Sequence, residues 1–257
     1  MEVLGKDVKQ LRKKLVDFIK KEVQKAGFNK VIIGLSGGID SSLSAFLAVE
    51  ALGKDGVVGV KMPHGGVTNP ESTSDADLII ESLGIKSYTV DIAGPVDAYF
   101  KLFPDADNVR RGNKMARERM SVLYDLSKQE KALVLGTGNK TEVLLGYFTL
   151  HGDEACDINP LSSIYKTQVW ALAKEVQVPE KVIEKTPSAD LWEGQTDEGE
   201  LGITYAECDR LLYHMIDKKH DEKKLVKDGF SKDFLKKVKN RIKNSEFKRK
   251  IPLLVSK

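Results

Sequence analysis

The run Gly34-Leu35-Ser36-Gly37-Gly38-Ile39-Asp40-Ser41-Ser42 carries the residue types best suited to chemistry. Glycines permit a tight turn and close approach of the backbone to a ligand. A helix that starts directly after such a turn points unpaired N–H groups and the positive end of its dipole outward, which suits an anion. Ser36, Ser41 and Ser42 add hydroxyl donors. No Gly-Lys-Ser/Thr follows and the spacing is not GxGxxG, so neither the Walker A loop nor the dinucleotide fingerprint applies. Asp40 departs from plain anion binding, because a carboxylate beside phosphates repels them unless a cation lies between. It therefore implies Mg2+, a hard ion that takes carboxylate and phosphate oxygens. The structural alternative for the run is a glycine-rich turn with a Ser or Asp helix cap.

A second stretch, Gly136-Thr137-Gly138-Asn139-Lys140-Thr141-Glu142, offers Glu142 as another carboxylate for the same metal. Lys166 stands at an expected helix start, where the dipole disfavours a cation, and this misfit favours a phosphate partner. No Ser/His/Asp or Cys/His nucleophile set is evident. Cys156 and Cys208 form no CxxC pair and are expected to be free thiols in a reducing compartment.

The elements that must position these residues follow from periodicity and from glycine and proline punctuation. Apolar residues at helical spacing (Val8, Leu11, Leu15, Phe18, Ile19, Val23) predict a helix ending near Gly27. Strands are expected over 30–35, 56–62, 86–92 and 132–135, and helices over 40–52, 74–83, 108–129, 141–148 and 166–176. Residues 186–202 are rich in Gly, Thr and acids and are expected to be a long loop. The remainder is expected to be helical, with a tail that includes Pro252. Strands alternating with helices imply an α/β fold: a parallel sheet covered by helices on both faces, here one domain spanning 1–257 with extra C-terminal helices. In that architecture both glycine-bearing loops lie at carboxyl ends of strands, where ligands bind.

Composition sets the outer limits. The chain has 257 residues, 41% of them apolar, with 41 Lys and Arg against 38 Asp and Glu. A net charge of +3 gives no case for nucleic acid. Basic residues crowd between Lys218 and Lys250, which fits a solvated helix face or, alternatively, a basic rim that attracts a polyanionic substrate. No apolar run reaches the roughly 18 residues of a membrane span, and the N-terminus lacks a signal-peptide core. A cytoplasmic location is expected.

The first loop resembles the SGGxDS loop of the ATP pyrophosphatase family, whose members cleave ATP between the α and β phosphates. Further motifs follow in order: Gly136 to Glu142, Gly146-Tyr147-Phe148-Thr149, Asp157-Ile158-Asn159-Pro160-Leu161, Tyr165-Lys166-Thr167-Gln168, Thr186-Pro187-Ser188-Ala189-Asp190-Leu191 and Asp197-Glu198. Together they resemble the ammonia-dependent NAD synthetases from about Val31 to Pro252. The resemblance implies adenylation of deamido-NAD by ATP, then displacement of AMP by ammonia. It places Gly34, Leu35, Ser36, Gly37, Gly38, Ile39, Asp40, Ser41, Thr137, Lys166 and Ser188 on ATP, and Asp40 and Glu142 on Mg2+. Arg117, Asp157, Phe247 and Lys248 fall on deamido-NAD, residues 186–202 become a lid, and the protein is expected to be a homodimer. The chain leaves no room for a glutaminase domain, so free ammonia is the expected nitrogen source. Two positions depart from the family pattern: Leu150 replaces a lysine and Phe247 a histidine, both on the deamido-NAD side. Other functions share such a loop, namely a pyrophosphatase acting on another carboxylate or on tRNA, and a non-catalytic ATP-binding regulator. The pairing of Asp40 with Glu142 argues against the regulator.

Overall fold

A computed structural model describes residues 2–192 and 194–250; the tail with Pro252 lies outside the described residues. The strands are β1 (Glu2–Val3), β2 (Lys6–Asp7), β3 (Val31–Gly34), β4 (Val57–Lys61), β5 (Lys86–Thr89) and β6 (Leu133–Val134). The helices are α1 (Val8–Lys25), α2 (Ile39–Leu52), α3 (Pro70–Leu83), α4 (Ala93–Phe100), α5 (Asn108–Glu130), α6 (Lys140–Leu145), α7 (Lys166–Glu175), α8 (Glu180–Glu184), α9 (Asp197–Leu201), α10 (Tyr205–Leu212), α11 (Glu222–Lys227) and α12 (Lys232–Asn244).

Strands β5-β4-β3-β6 form one parallel sheet in that order. The central strand β3 is apolar on both sides because each side meets helices. Val31 and Ile33 join a core with α1, α2, α3, α7 and α8, whereas Ile32 joins Val58, Val60 and residues of α4 and α5. The expected parallel sheet with helices on both faces is thus present. A third cluster, built around Leu145, Tyr165, Tyr205, Leu211 and Val238, packs the added C-terminal helices against α6 and α7.

Several local expectations change. α3 begins at Pro70 rather than at 74, with Asn69 as N-cap; proline at the first helical position carries that start signal. α4 is an addition to the expected elements; its sequence carries Gly94-Pro95, a breaker signal, yet proline is tolerated in a first helical turn. Phe18, expected among the apolar face of α1, is 37% exposed. Residues 186–202 are not all loop: Thr196 accepts from the Gly199 N–H and caps the short α9. The two-residue strands β1 and β2 are too short for any periodic signal.

From β3 the chain steps outward through β4 to β5, then returns to place β6 on the other side of β3. The β3/β6 pair is therefore the point where strand order reverses, and the crevice beyond its carboxyl ends is the preferred ligand site of such sheets. Both glycine-bearing loops leave from there.

Candidate active site

The loop after β3 is fixed by backbone sterics. Gly37 has φ of +73°, and a Cβ there would lie 2.2 Å from the Ser72 carbonyl oxygen, so only glycine fits. Gly38 occupies the N-cap of α2 and supplies no side-chain acceptor to the first helical amides. Ser36 is exposed and its Oγ accepts from the Gly38 N–H at 3.3 Å. Ser41 and Ser42 differ from the expected outward donors: both are buried, and their hydroxyls donate to the Gly38 carbonyl at 3.0 and 2.8 Å. They shape the loop from beneath. Behind it, Lys185 donates to Ser72 Oγ at 3.0 Å and to Asp75 Oδ2 at 2.8 Å. Burial opposes ionisation of Asp75, but Lys181 and Lys185 outweigh it and hold that carboxyl below its usual range.

Beside the loop, three motifs converge. Asp40, in the first turn of α2, accepts from Asn139 Nδ2 at 2.9 Å and pairs through Oδ2 with Lys166 Nζ. Lys166 Nζ also lies 3.8 Å from Glu142 Oε1. Glu142 is held by a capping box: its backbone N–H donates to Asn139 Oδ1 at 3.0 Å, and its Oε2 accepts from the Asn139 N–H at 3.1 Å. Burial, and then the Asp40 charge, push the Glu142 carboxyl up to about 8. Burial works against the Lys166 ammonium, yet Asp40 and Glu142 raise its pKa above the ordinary lysine value. The local misfit of a lysine at a helix start is thus answered by carboxylates of the same chain. The rings of Tyr205 and Trp170 lie 5.2 and 5.8 Å from Nζ and complete its enclosure.

A frame of buried acids supports this cluster. Asp209 accepts from Thr141 Oγ1 at 2.6 Å and from the Thr167 N–H at 2.7 Å, which ties α10 to the starts of α6 and α7. Asp197, at the start of α9, accepts from Tyr205 OH at 2.9 Å and Tyr147 OH at 3.2 Å. Its carboxyl is raised by burial. The start of α9 therefore docks onto the same tyrosine that covers Lys166.

The sequence profile of the NAD synthase family matches residues 11–252. An NH3-dependent NAD+ synthetase from Trichlorobacter lovleyi is 53% identical over 254 residues, covering 99% of this chain and 93% of that protein. Its counterpart from Fusobacterium nucleatum is 47% identical, covering 99% and 98%. The chain belongs to the NAD synthase family. Among solved structures, the NMN synthetase from Francisella tularensis superimposes with a TM-score of 0.86 at 34% identity, covering 98% of this chain and 100% of that one. An NH3-dependent NAD synthetase from Campylobacter jejuni, in complex with a nitrate ion, gives 0.83 at 33% identity with the same coverage.

Within this NAD synthase fold, the residues expected on ATP and metal separate into two groups. The Gly34–Ser41 loop, Asp40, Glu142 and Lys166 are brought together. Thr137, partly buried, leaves β6 two residues before Asn139. Ser188 is exposed, and its Oγ accepts from the Asp190 N–H at 3.0 Å. Asp190 in turn accepts from the Asn69 N–H at 3.1 Å, so this segment rests on the start of α3.

The residues expected on deamido-NAD are more dispersed. Arg117 Nε donates to the Leu150 carbonyl at 3.0 Å. Lys248 Nζ donates to the carbonyls of Gly146 and Phe148 at 2.8 and 2.7 Å. Both cations thus grip the segment 146–150, from α5 and from the C-terminal region. Phe247 is 54% exposed beside Lys248. Asp157 braces the sheet edge, accepting from the Val134 N–H at 2.7 Å and Tyr124 OH at 3.3 Å.

Sequence reasoning missed Asn139 as the link between the two carboxylates, and Asp209, Tyr205 and Lys185 as supports. The Asn-x-x-Glu spacing of a capping box was available for Asn139. The others have no local signal, because their partners are distant in sequence.

Proposed function

We propose that this chain makes NAD from deamido-NAD, ATP and ammonia, releasing AMP and pyrophosphate. The observation that carries this reading is the convergence of the Gly34–Ser41 loop with Asp40, Glu142 and Lys166 at the β3/β6 switch point. The NH3-dependent relatives support the nitrogen source. The tRNA and regulator readings find no support among these relatives.

A carboxylate resists ammonia because its oxide leaves badly, and adenylation removes that obstacle. A carboxylate oxygen of deamido-NAD attacks the α-phosphorus of ATP, and the bond to the bridging oxygen of pyrophosphate breaks. The lone pair of ammonia then attacks the acyl carbon, AMP leaves, and the nitrogen gives up a proton. No covalent enzyme intermediate is needed. The chain's part is positioning and electrostatics. The amides at the start of α2 and the Ser36 hydroxyl hold the departing pyrophosphate, and Lys166 supplies positive charge beside them. The segment 186–202 acts as a lid that keeps water from the adenylate.

Asp40 and Glu142 would hold Mg2+: burial and the Asp40 charge oppose ionisation of Glu142, and a cation that takes one or two protein carboxylates plus phosphate would offset that cost. When bound, the ion neutralises charge on the phosphate oxygens. Arg117, Lys248, Asp157 and Phe247 would serve the dinucleotide, and Thr137 and Ser188 the ATP. We read the 257 residues as one synthetase unit that works in the cytoplasm as a homodimer. No helix among the described residues is long and apolar enough to cross a membrane. The exposed apolar residues Tyr99, Leu102, Phe103 and Val109 are suited to contact between copies.

The test is release of AMP from ATP and Mg2+, with deamido-NAD present or omitted and with ammonia or glutamine as nitrogen source. AMP formation that requires deamido-NAD, with NAD made from ammonia alone, is expected. Nicotinate mononucleotide as the preferred acceptor would reassign the substrate, and ATP cleavage independent of both would overturn the reading.

A further inference from the structure

The C-terminal helical region holds a second cluster of ligand-type side chains, away from the phosphate loop. His214, His220 and Asp228 each offer a ligand atom, and the three atoms lie within 4.8 Å of one another. His214 Nδ1, His220 Nδ1 and Asp228 Oδ2 are buried and meet no well-formed hydrogen bond among the described residues. His220 Nδ1 and Asp228 Oδ2 face each other as an ion-pair contact, and His214 Nδ1 beside them is buried without a hydrogen bond, which is costly unless something satisfies it.

The backbone is arranged to bring them together. His214 lies in a π-helical turn, Tyr213–Asp217, that extends α10. Such widened turns are uncommon and frequently mark functional positions. Lys219 then adopts φ of +55°, unusual for a non-glycine residue, and folds the chain back so that the His220 N–H donates to the His214 carbonyl at 3.0 Å. The two imidazole rings end 5.1 Å apart. Asp228 follows α11 and approaches from the other side, its Oδ2 lying 3.3 Å from His220 Nδ1. Ligand atoms bound tetrahedrally at about 2.0–2.1 Å from zinc stand about 3.3–3.4 Å apart. That pair therefore already has the spacing of two zinc ligands.

We propose that His214, His220 and Asp228 form a site for a divalent cation of the zinc type, distinct from the carboxylates that serve ATP. Two imidazoles and one carboxylate select zinc and its neighbours in the transition series over Mg2+, which favours oxygen donors. Lys224 Nζ donates to Asp228 Oδ1 at 2.6 Å and orients the carboxylate, leaving Oδ2 for the metal. The guanidinium of Arg210, over the Phe230 ring at 4.6 Å, and the Lys224 ammonium are the cations the bound charge has to tolerate. The side chains of His220 and Asp228 are 27% and 23% exposed, so the ion has a route from solvent. Its role is structural: it pins the π-helical turn, whose Asp217 accepts from Lys140 Nζ at 2.8 Å and from Tyr165 OH. Lys140 opens the helix that carries Glu142, and Tyr165 precedes Lys166.

The test uses the untagged, chelator-treated full chain, titrated with Zn2+ in the presence of Mg2+ while the imidazole nitrogens are followed by NMR. The chain has four histidines, His64, His151, His214 and His220. The expected result is that His214 and His220 shift together and saturate at one equivalent. In parallel, Co2+ should give a low-symmetry visible spectrum that H220A or D228N weakens at least tenfold in affinity and that D40A retains. Absence of shifts at excess Zn2+, shifts confined to His64 or His151, or a Co2+ spectrum lost in D40A but kept in H220A would overturn the proposal.

Discussion

Asp40 and Lys166 stand 126 residues apart in sequence, and the fold pairs the carboxylate with the ammonium beside the Gly34–Ser41 loop. The lysine side chain is 3% exposed and the aspartate 18%. Glu142 lies 3.8 Å from the same ammonium, so one positive charge is set between the Asp40 carboxylate and a carboxyl group that burial holds against ionisation. Such a pair carries little net stability, but removing one member leaves a buried charge without its partner.

Replacing Asp40 tests that arrangement. Asp40→Ala removes the partner of both Lys166 and Asn139 and one of the two carboxylates assigned to Mg2+. AMP formation should fall by about 10²–10³-fold or more, the scale of losing one preorganised electrostatic group. Rapid-quench measurement of AMP, with circular dichroism as a check on folding, decides it. Turnover close to wild type would refute the metal assignment.

Lys166→Met leaves Asp40 and Glu142 facing each other without the ammonium. Thermal unfolding should show a loss on the order of 3–5 kcal/mol, typical of breaking a buried pair. Lys166→Arg should not restore activity, since a planar guanidinium does not replace a compact ammonium between two carboxylates. An arginine variant with wild-type kcat would show that charge alone matters at this position.

Stability should depend on pH through Glu142. Its carboxyl is raised by burial from 4.5 to about 8, so between those pH values the folded chain holds a proton that the unfolded chain has lost. This contribution is complete below about pH 4.5 and is lost as pH rises through about 8. In the ligand-free chain, the Tm of wild type should therefore fall more steeply across that window than the Tm of Glu142→Gln. Parallel Tm profiles for the two proteins would show that Glu142 is not the titrating group.

Tyr205 links the segment 186–202, proposed above as a lid, to the lysine cluster, since its hydroxyl donates to Asp197 and its ring faces Lys166. Tyr205→Phe leaves Asp197 short of one buried donor, at a cost of about 1–3 kcal/mol in lid closure. More adenylate should then be lost to water, giving AMP in excess of NAD. A one-to-one ratio in the variant would mean that this hydrogen bond does not govern closure.

Leu150 lies where the Arg117 guanidinium meets the backbone, on the segment that Lys248 grips from the other side. Leu150→Lys should lower the KM for deamido-NAD several-fold and leave kcat and the KM for ATP unchanged, because the added charge acts on dinucleotide binding alone. An unchanged KM would place the dinucleotide elsewhere.

The sequence by itself determined the longer elements and the loop half of the candidate site. Glycines and runs such as VIIG and VVGV act over a few residues, so β3, α2 and the loop between them were legible from neighbouring residues alone. The pairing of β6 with β3, rather than with β5, was not legible, because strand order depends on which faces bury together over the whole chain. That pairing brings Asn139 and Glu142 to Asp40. Lys166 was expected to seek a phosphate; only tertiary packing shows that two carboxylates and two aromatic rings already surround it. The cluster of His214, His220 and Asp228 had no motif at all, since a π-helical turn and one left-handed residue create it. Local chemistry is written in neighbouring residues, whereas electrostatic partnership is set by burial, and burial belongs to the fold as a whole.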